Sequence, residues 1–457
     1  MKAMGSLIAE GNAHSGHCIG QPNRYFMNKK ISVLCGVILL HGTCMRAEGS
    51  NESPNEDPKL KIIKTDETIR GLFKQTRPAS PKDGDVGLYT IKEKKNRFMM
   101  QPFGYVKPIM GWDIGNALDD ISFVPAQIPV PAKKGNKAAY FANPLHSSIG
   151  VHIVALPATA HQVTAYLQLQ FSGDKATVRC NHAYIGYRGF ILGRTGSLFI
   201  DGDAIPETID PQGPNGAVDV HSYQVSYQKH FDCGVGLGIS MEIPTFDKYP
   251  GEYYGKDYPE LDGTQYYADA TQPVPDIPLY IQYQGKGLNR VRLSGIIRNF
   301  FYQDVVADKT KSLMGWGIQL SGNIQPCNPL LLYYECSYGK GIANYIQDTN
   351  GLPLSYIPKD SHPGDMSATP MMGWLAGFSY EFPSRLKLTG VYSQARVWKS
   401  GVYYPDYKMG QYVAANVSYP IKEYLRYEVE YLWGDHLEYG HKSASLNRIQ
   451  TTLKLSF

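Results

Sequence analysis

Across 457 residues the formal net charge is only +4, with no basic tract dense enough to hold nucleic acid. Mean hydropathy is −0.31, and past the amino terminus no stretch reaches the roughly 18 apolar residues of a spanning helix, which excludes a helical membrane protein. A membrane β-barrel stays open, because its strands alternate and keep the mean low; 34 Tyr and 46 Gly suit strands, interfaces and turns.

Residues 1–26 carry no periodic pattern. Met27 then opens an export signal. Asn28, Lys29 and Lys30 are its basic start, Ile31 to Leu40 its apolar core, and His41 to Ala47 ends on a small residue. Met27 is therefore the expected start, with 1–26 an extension in front of it. Residues 48–97 are polar and charged, and read as a periplasmic extension or linker with a short helix near Leu60 to Phe73.

From Phe98 the pattern changes to period two. Val163, Ala165, Leu167, Leu169 and Phe171 alternate with Gln162, Thr164, Tyr166, Gln168 and Gln170. Val235, Leu237, Ile239 and Met241 alternate with Gly234, Gly236, Gly238 and Ser240. Met314, Trp316, Ile318 and Leu320 do the same, and so do the strands around Val413 and Val429. The last dozen residues follow suit. Ile449, Thr451, Leu453, Leu455 and Phe457 oppose Arg448, Gln450, Thr452, Lys454 and Ser456. Alternate side chains of a strand face opposite ways. Only a polar inside and an apolar outside leaves no charge in lipid, so 98–457 reads as an all-β transmembrane antiparallel barrel of about sixteen strands, closed by the strand ending in Phe457. Connections alternate short and long: short at 157–160, 188–189, 231–232, 285–287, 325–328, 383–384 and 420–422, long at 114–147, 199–218, 244–276, 342–369 and 396–408. The short link at 173–175 is an exception. This spacing implies the outer membrane of a Gram-negative bacterium, with both termini periplasmic.

Four cysteines follow the signal: Cys180, Cys233, Cys327 and Cys336. None forms a CxxC pair. Free or lipid-facing thiols are expected, with a Cys327–Cys336 bridge as the alternative.

The richest loop runs from Phe199 to Gly216 and holds Asp201, Asp203, Glu207, Asp210 and Asn215. A stiff loop folded into the lumen would make these a constriction facing basic wall residues. A calcium site and a solvated surface loop are the other two readings; the spacing is not that of an EF-hand. On the wall, Arg290, Arg292 and Arg298 share one parity, Arg385 and Lys387 another strand's polar parity, and Arg426, Arg448 and Lys454 the polar side of the closing strands. Arg179 and Asn181 share a parity, and Arg194 precedes the acidic loop. Rings of Arg favour anions. The competing role for these cations is to pair with Glu242, Glu335, Glu428 and Glu430. No GxSxG or metal-spaced His set is present, so the chain reads as no enzyme; a His–Ser pair in the wall, as in outer-membrane phospholipases, is the rival.

Three blocks add a resemblance. Arg179 to Tyr184, Leu192 to Phe199, and Ile205 to Asp210 followed by Gly213 to Gly216 resemble DcaP-like porins, whose pattern is close to R-x-R-H-A-Y, G-Q-T-W-S and P-E-T-x-D-x-x-G-P. Asn181 stands in place of a second Arg, Arg194 in place of Gln and Gly196 in place of Trp, and no heptads mark a coiled coil in 48–97. The resemblance implies a homotrimeric outer-membrane channel for dicarboxylates and other small anionic solutes, needing no cofactor. The alternative is a plugged barrel that binds partners through its long Tyr-rich loops.

Overall fold

The computed structural model describes residues 60–76, 87–93, 95–118, 121–132, 135, 138–144, 146–172, 177–244, 267–359, 364–398, 406–440 and 442–457. The extension 1–26, the signal 27–47, the link 173–176 and most of the Tyr-rich stretches at 251–268 and 402–407 lie outside the described residues.

Sixteen antiparallel strands, counted over the described residues, form the barrel. They are β1 (Phe98–Val106 and Ile109–Ile114), β2 (Ala138–Asn143 and Ser148–Ala155), β3 (Val163–Ser172), β4 (Thr177–Tyr187), β5 (Phe190–Gly196), β6 (His221–His230), β7 (Val235–Glu242) and β8 (Ile277–Gln284). The second half is β9 (Arg290–Asp304), β10 (Lys309–Cys327), β11 (Leu330–Lys340), β12 (Pro370–Glu381), β13 (Lys387–Val397), β14 (Tyr407–Lys422), β15 (Leu425–Glu438) and β16 (Ser443–Ser456). β16 closes on β1 in register from Asn447 opposite Ile114 to Thr452 opposite Ile109, and again at Leu455 opposite Val106. Phe457 and Gly104 then exchange two backbone hydrogen bonds of 2.9 and 3.1 Å, so no ladder edge is left at the seam. Closure and strand count match the expectation from alternation.

The faces also match. Leu237, Ile239, Met241, Val291, Leu293, Ile318, Leu320, Val417, Val429, Ile449 and Leu453 are exposed on the outer surface, while Arg290, Arg292, Gln319, Ser321, Asn416, Gln450 and Thr452 are buried inside. In Thr177–Tyr187, where Arg179 and Asn181 were expected to share a parity, a bulge breaks the alternation. Gln168 pairs with His182 but the next residue, Leu169, pairs with Cys180, leaving Asn181 extra. Arg179 and His182 thus both take inward positions, three residues apart.

One end carries tight turns. Arg188 and Gly189 take φ of 50° and 87°, as a two-residue hairpin turn requires. Before the barrel, residues 60–76 form a strand and a helix. Leu60–Lys64 is a strand paired with Tyr89–Glu93, and the helix, α1 (Glu67–Thr76), begins later than foreseen.

The other end carries long loops, and three of them turn inward. The β1–β2 loop contributes Phe123 and Ile128, the β5–β6 loop Phe199, Ile205, Ala217 and Val218, and the β11–β12 loop Ile342, Tyr345, Ile346 and Leu354. They pack on apolar side chains that point into the lumen: Tyr333, Leu375, Val391, Tyr412, Leu432 and Leu446 among them. One side of the barrel is therefore filled by a hydrophobic core. The expected polar inside therefore holds only where the wall meets water; lumen parity turns apolar where a loop covers the wall.

Polar wall groups hold the loops. Glu430 accepts the Ile209 and Asp210 N–H groups, both at 2.9 Å, and Glu335 accepts Val218 N–H at 2.7 Å. Glu242 accepts Leu198 N–H at 2.9 Å. Arg448 grips Asp113 with Nε and Nη2 at 2.6 and 3.0 Å and donates to the Ile121 carbonyl. Arg298 pairs with Asp276 at 2.9 Å and donates to Gly341 O and Asn344 Oδ1. Gly216 lies against the wall so closely that a Cβ there would collide with the Gln394 and Trp374 carbonyls. This explains why the loop needs glycine at that point.

Two outcomes follow from this packing. Asp113→Asn leaves the Arg448 guanidinium buried beside a neutral partner and should cost about 3–5 kcal/mol. The midpoint of urea unfolding in lipid vesicles measures it, and an unchanged midpoint would contradict the role of the pair. Leu320→Arg puts a charge on the outer face and should cost about 2–4 kcal/mol in lipid, read in the same way.

Candidate solute path

With the loops packed against one side, the open space lies along the other. A cavity of about 770 Å³ runs past Tyr105, Lys107, His146, Gln170, Arg179, Asn181, Arg194, Asp219, His221, Arg426 and Lys454, with Glu207 and Asp210 from the inward loop. A second, of about 480 Å³, is lined by Lys74, His182, Tyr184, Arg188, Asp203, Gln228, His230, Tyr280, Arg290 and Arg292. Asp219 and His221 line both. Arg188 and Gly189 place the second cavity at the turn end.

The wall cations divide into three groups. Arg298 and Arg448 are buried, at 1% and 0% exposure, and line neither of these two cavities; they clamp loops. Arg290 and Arg292 line the turn-end cavity but are also occupied. Arg290 Nη2 meets Asp201 at 2.5 Å, and Asp201 also accepts the Ser321 hydroxyl at 2.6 Å. Arg292 donates to Leu198 O and Ser294 Oγ, and its guanidinium lies 3.7 Å over the Tyr280 ring. Lys387 binds Glu207 at 3.2 Å and lines neither cavity. Arg385 sits in the exposed turn before β13 with φ of 66°, so the shared strand parity with Lys387 is corrected.

Arg179 and Arg194 form the third group. Arg179 stands opposite Gln170 on the lumen side of β4, exposed to the cavity. Arg194 is the last β5 residue paired with β4, opposite Ala183, and sits at an outward position beside Tyr223. Where the ladder stops, its Nε donates to the Cys180 carbonyl at 2.8 Å, and the side chain reaches the cavity. Among the described residues neither Arg has a carboxylate within ion-pair distance.

The acids around them are engaged. Glu207 is held by Lys387 and, at 3.5 Å, by Arg426. Asp210 accepts N–H groups of Phe123, Gln212 and Gly213 and the Tyr412 hydroxyl, at 2.9 to 3.1 Å. Burial pushes the Asp210 carboxyl up, against the pull of these donors and of Arg448. Asp219 faces Gln347 at 3.4 Å and His221 at 3.8 Å. Asp203 is half-exposed, 3.5 Å from Arg290. Asn215 does not touch the cavity: it donates to buried Asp348 at 2.9 Å. The acidic loop thus turns inward, with Glu207 and Asp210 on the cavity and its apolar residues in the core. Asp201 and Asp203 share Arg290 while Glu207 and Asp210 are held elsewhere, and among the described residues no three acids come together as a calcium site would need. Three of the four wall Glu residues serve the loops, Glu242, Glu335 and Glu430 taking backbone N–H groups, while Glu428 lies 3.9 Å from Arg426, the Arg pairing that was the alternative. Cys180, Cys233, Cys327 and Cys336 are all free, and Cys336 faces outward between Leu320 and Trp374.

Several lining groups escaped the reading of the sequence. Lys107 donates to Ile209 O at 2.9 Å from the break between the two halves of β1. The dipeptide Lys107-Pro108 inside an alternating strand was the available signal. Lys74, Asp219 and His221 lie outside the strand pattern or at its edge, where parity says nothing.

No protein-family model and no curated protein matches the chain. Solved structures do. The crystal structure of the outer membrane channel DcaP of Acinetobacter baumannii matches at TM-score 0.66 and 20% identity, covering 82% of this chain and 100% of that one. An anion-selective porin from Comamonas acidovorans matches at TM-score 0.47 and 9% identity over 79% of this chain and 100% of its own. A trimer form of OmpT from Vibrio cholerae gives 0.47 and 11% over 79% and 99%. At such identities the likeness is one of fold: this chain is a closed sixteen-stranded barrel with the porin-like architecture of the outer-membrane channel DcaP.

Proposed function

We propose that the chain is a passive outer-membrane channel for small anionic solutes such as dicarboxylates. In this reading residues 27–47 are the export signal, 48–97 a periplasmic extension, and the mature barrel a homotrimer with its turn end and both termini in the periplasm. The observation that carries the reading is an imbalance of partners. Arg179 and Arg194 line the larger cavity without a carboxylate partner among the described residues, while Glu207, Asp210 and Asp219 on the same cavity already have theirs. A dissolved carboxylate can supply the missing charge, and an Arg fork receives it in a plane. Because both groups are reached by water, each contact stays weak enough to release, as passive flux requires. Arg426 and Lys454 continue the positive wall, and Arg290 and Arg292 line the exit. A lumen filled on one side only supports a channel over the plugged, adhesive barrel. The resemblance around Arg179 to Gly216 points the same way, since those blocks build this constriction.

Reversal of both charges, Arg179→Glu with Arg194→Glu, should abolish or invert anion preference. Reversal potential across a planar bilayer under a salt gradient reads it. Unchanged selectivity with intact conductance would sink the reading.

A further inference from the structure

The turn-end mouth of the pore carries a helix that the barrel is built to receive. α1 buries Ile69 and Phe73, at 7% and 1% exposure, on Met99 and Val154, with Ile63 and Leu72 alongside. Met99 and Val154 are register partners on β1 and β2. Both lie at lumen-facing positions, in line with Gln101 and His152. An apolar pair on a water-facing wall is unfavourable unless something covers it. Phe73 covers it, and its ring meets His152 edge-on at 4.9 Å between centroids.

The helix is also tied through its N-terminal end. Asp66 Oδ1 caps it by accepting Ile69 N–H at 2.8 Å. The strand before it pairs with Tyr89–Glu93, which joins the barrel through Ile91 opposite Met100 and Lys92 opposite Met99. Gln101, on the lumen wall, donates to Thr65 Oγ1 at 3.2 Å and to Gly87 O at 3.1 Å, and Thr65 Oγ1 donates to Gly87 O at 2.9 Å. Such a set of buried polar contacts specifies one position. In that position Lys74 joins the wall of the turn-end cavity, along with Arg188 and the Arg290–Arg292 pair.

We propose that α1 is a fixed sill across the turn-end mouth, part of the conduction path rather than a linker, and that Lys74 is a selectivity residue of the exit. The second half of this statement rests on the anion-path reading; the first does not. Lys74→Glu changes two charge units at the mouth. At about one Debye length from a passing ion this lowers the anion-to-cation permeability ratio about twofold. Phe73→Asp unseats α1 and raises single-channel conductance. Both variants are measured in planar bilayers beside wild type and the Arg179→Glu, Arg194→Glu double variant, with trimer yield as the folding control. A twofold fall with Lys74→Glu and a larger conductance with Phe73→Asp support the sill. Neither change, while the double variant still shifts selectivity, overturns it. Absence of anion preference in wild type defeats the anion-path reading instead, and the conductance of Phe73→Asp then still decides for or against the sill. If Phe73→Asp fails to assemble, Lys74→Glu, an exposed change, carries the test alone.

Discussion

Everything in this barrel depends on how the wall satisfies the backbone of loops drawn into its lumen. A loop that leaves water must find partners for its N–H and C=O groups. Glu430, Glu335 and Glu242 provide acceptors, and Arg298, Arg292 and Arg448 provide donors to loop carbonyls. Each wall group sits at a lumen position because its strand neighbours must face lipid. The same alternation that builds the barrel therefore also supplies the clamps. Once the loops are held, their apolar side chains can bury Leu375, Val391, Leu432 and Leu446, and the pore is displaced to the opposite side.

This arrangement separates two uses of charge that a sequence writes with the same letters. A guanidinium removed from water needs a partner, and Arg298 and Arg448 have theirs in Asp276 and Asp113. A guanidinium meant for a transient solute must stay solvated and unclaimed. Among the described residues Arg179 and Arg194 have no carboxylate partner, at an irregular part of the wall beside a bulge and at the end of a ladder, although Arg194 Nε still donates to the Cys180 carbonyl. The bulge is what turns Arg179 inward, and the end of the ladder is what lets Arg194 reach the cavity from an outward position; regular pairing would have put both on one face.

An aromatic and histidine strip links the sill to the cavity. Phe73 meets His152, His152 meets Tyr166, Tyr166 meets His182, and His182 meets His221, with centroids 4.8 to 5.7 Å apart. His152, Tyr166 and His182 stand at lumen positions of the consecutive strands β2, β3 and β4, with Phe73 on α1 at one end and His221 at the start of β6 at the other, and give that wall a packed surface. The open side of the pore is thus as well defined as the filled side, but by ring contacts between strands and not by loops.

Period two along the chain determined the membrane barrel, its strand number, its closing strand and the side on which Arg290, Gln450 or Leu453 lies. That was legible because lipid imposes one rule on every outward position, and each strand obeys it by itself. The inward direction of the loop bearing Asp201 to Asn215 was legible too, from its Pro, Gly and acid content. Which Arg residues are clamps and which face the path was not, because parity reports the side of a wall and not the partner across it. Arg298 and Arg179 look alike in sequence; they differ because Asp276 arrives from a loop before β8 at one and no carboxylate among the described residues arrives at the other. Only the tertiary structure decided that, since the partners are brought in by loops distant in sequence, where no local pattern constrains them.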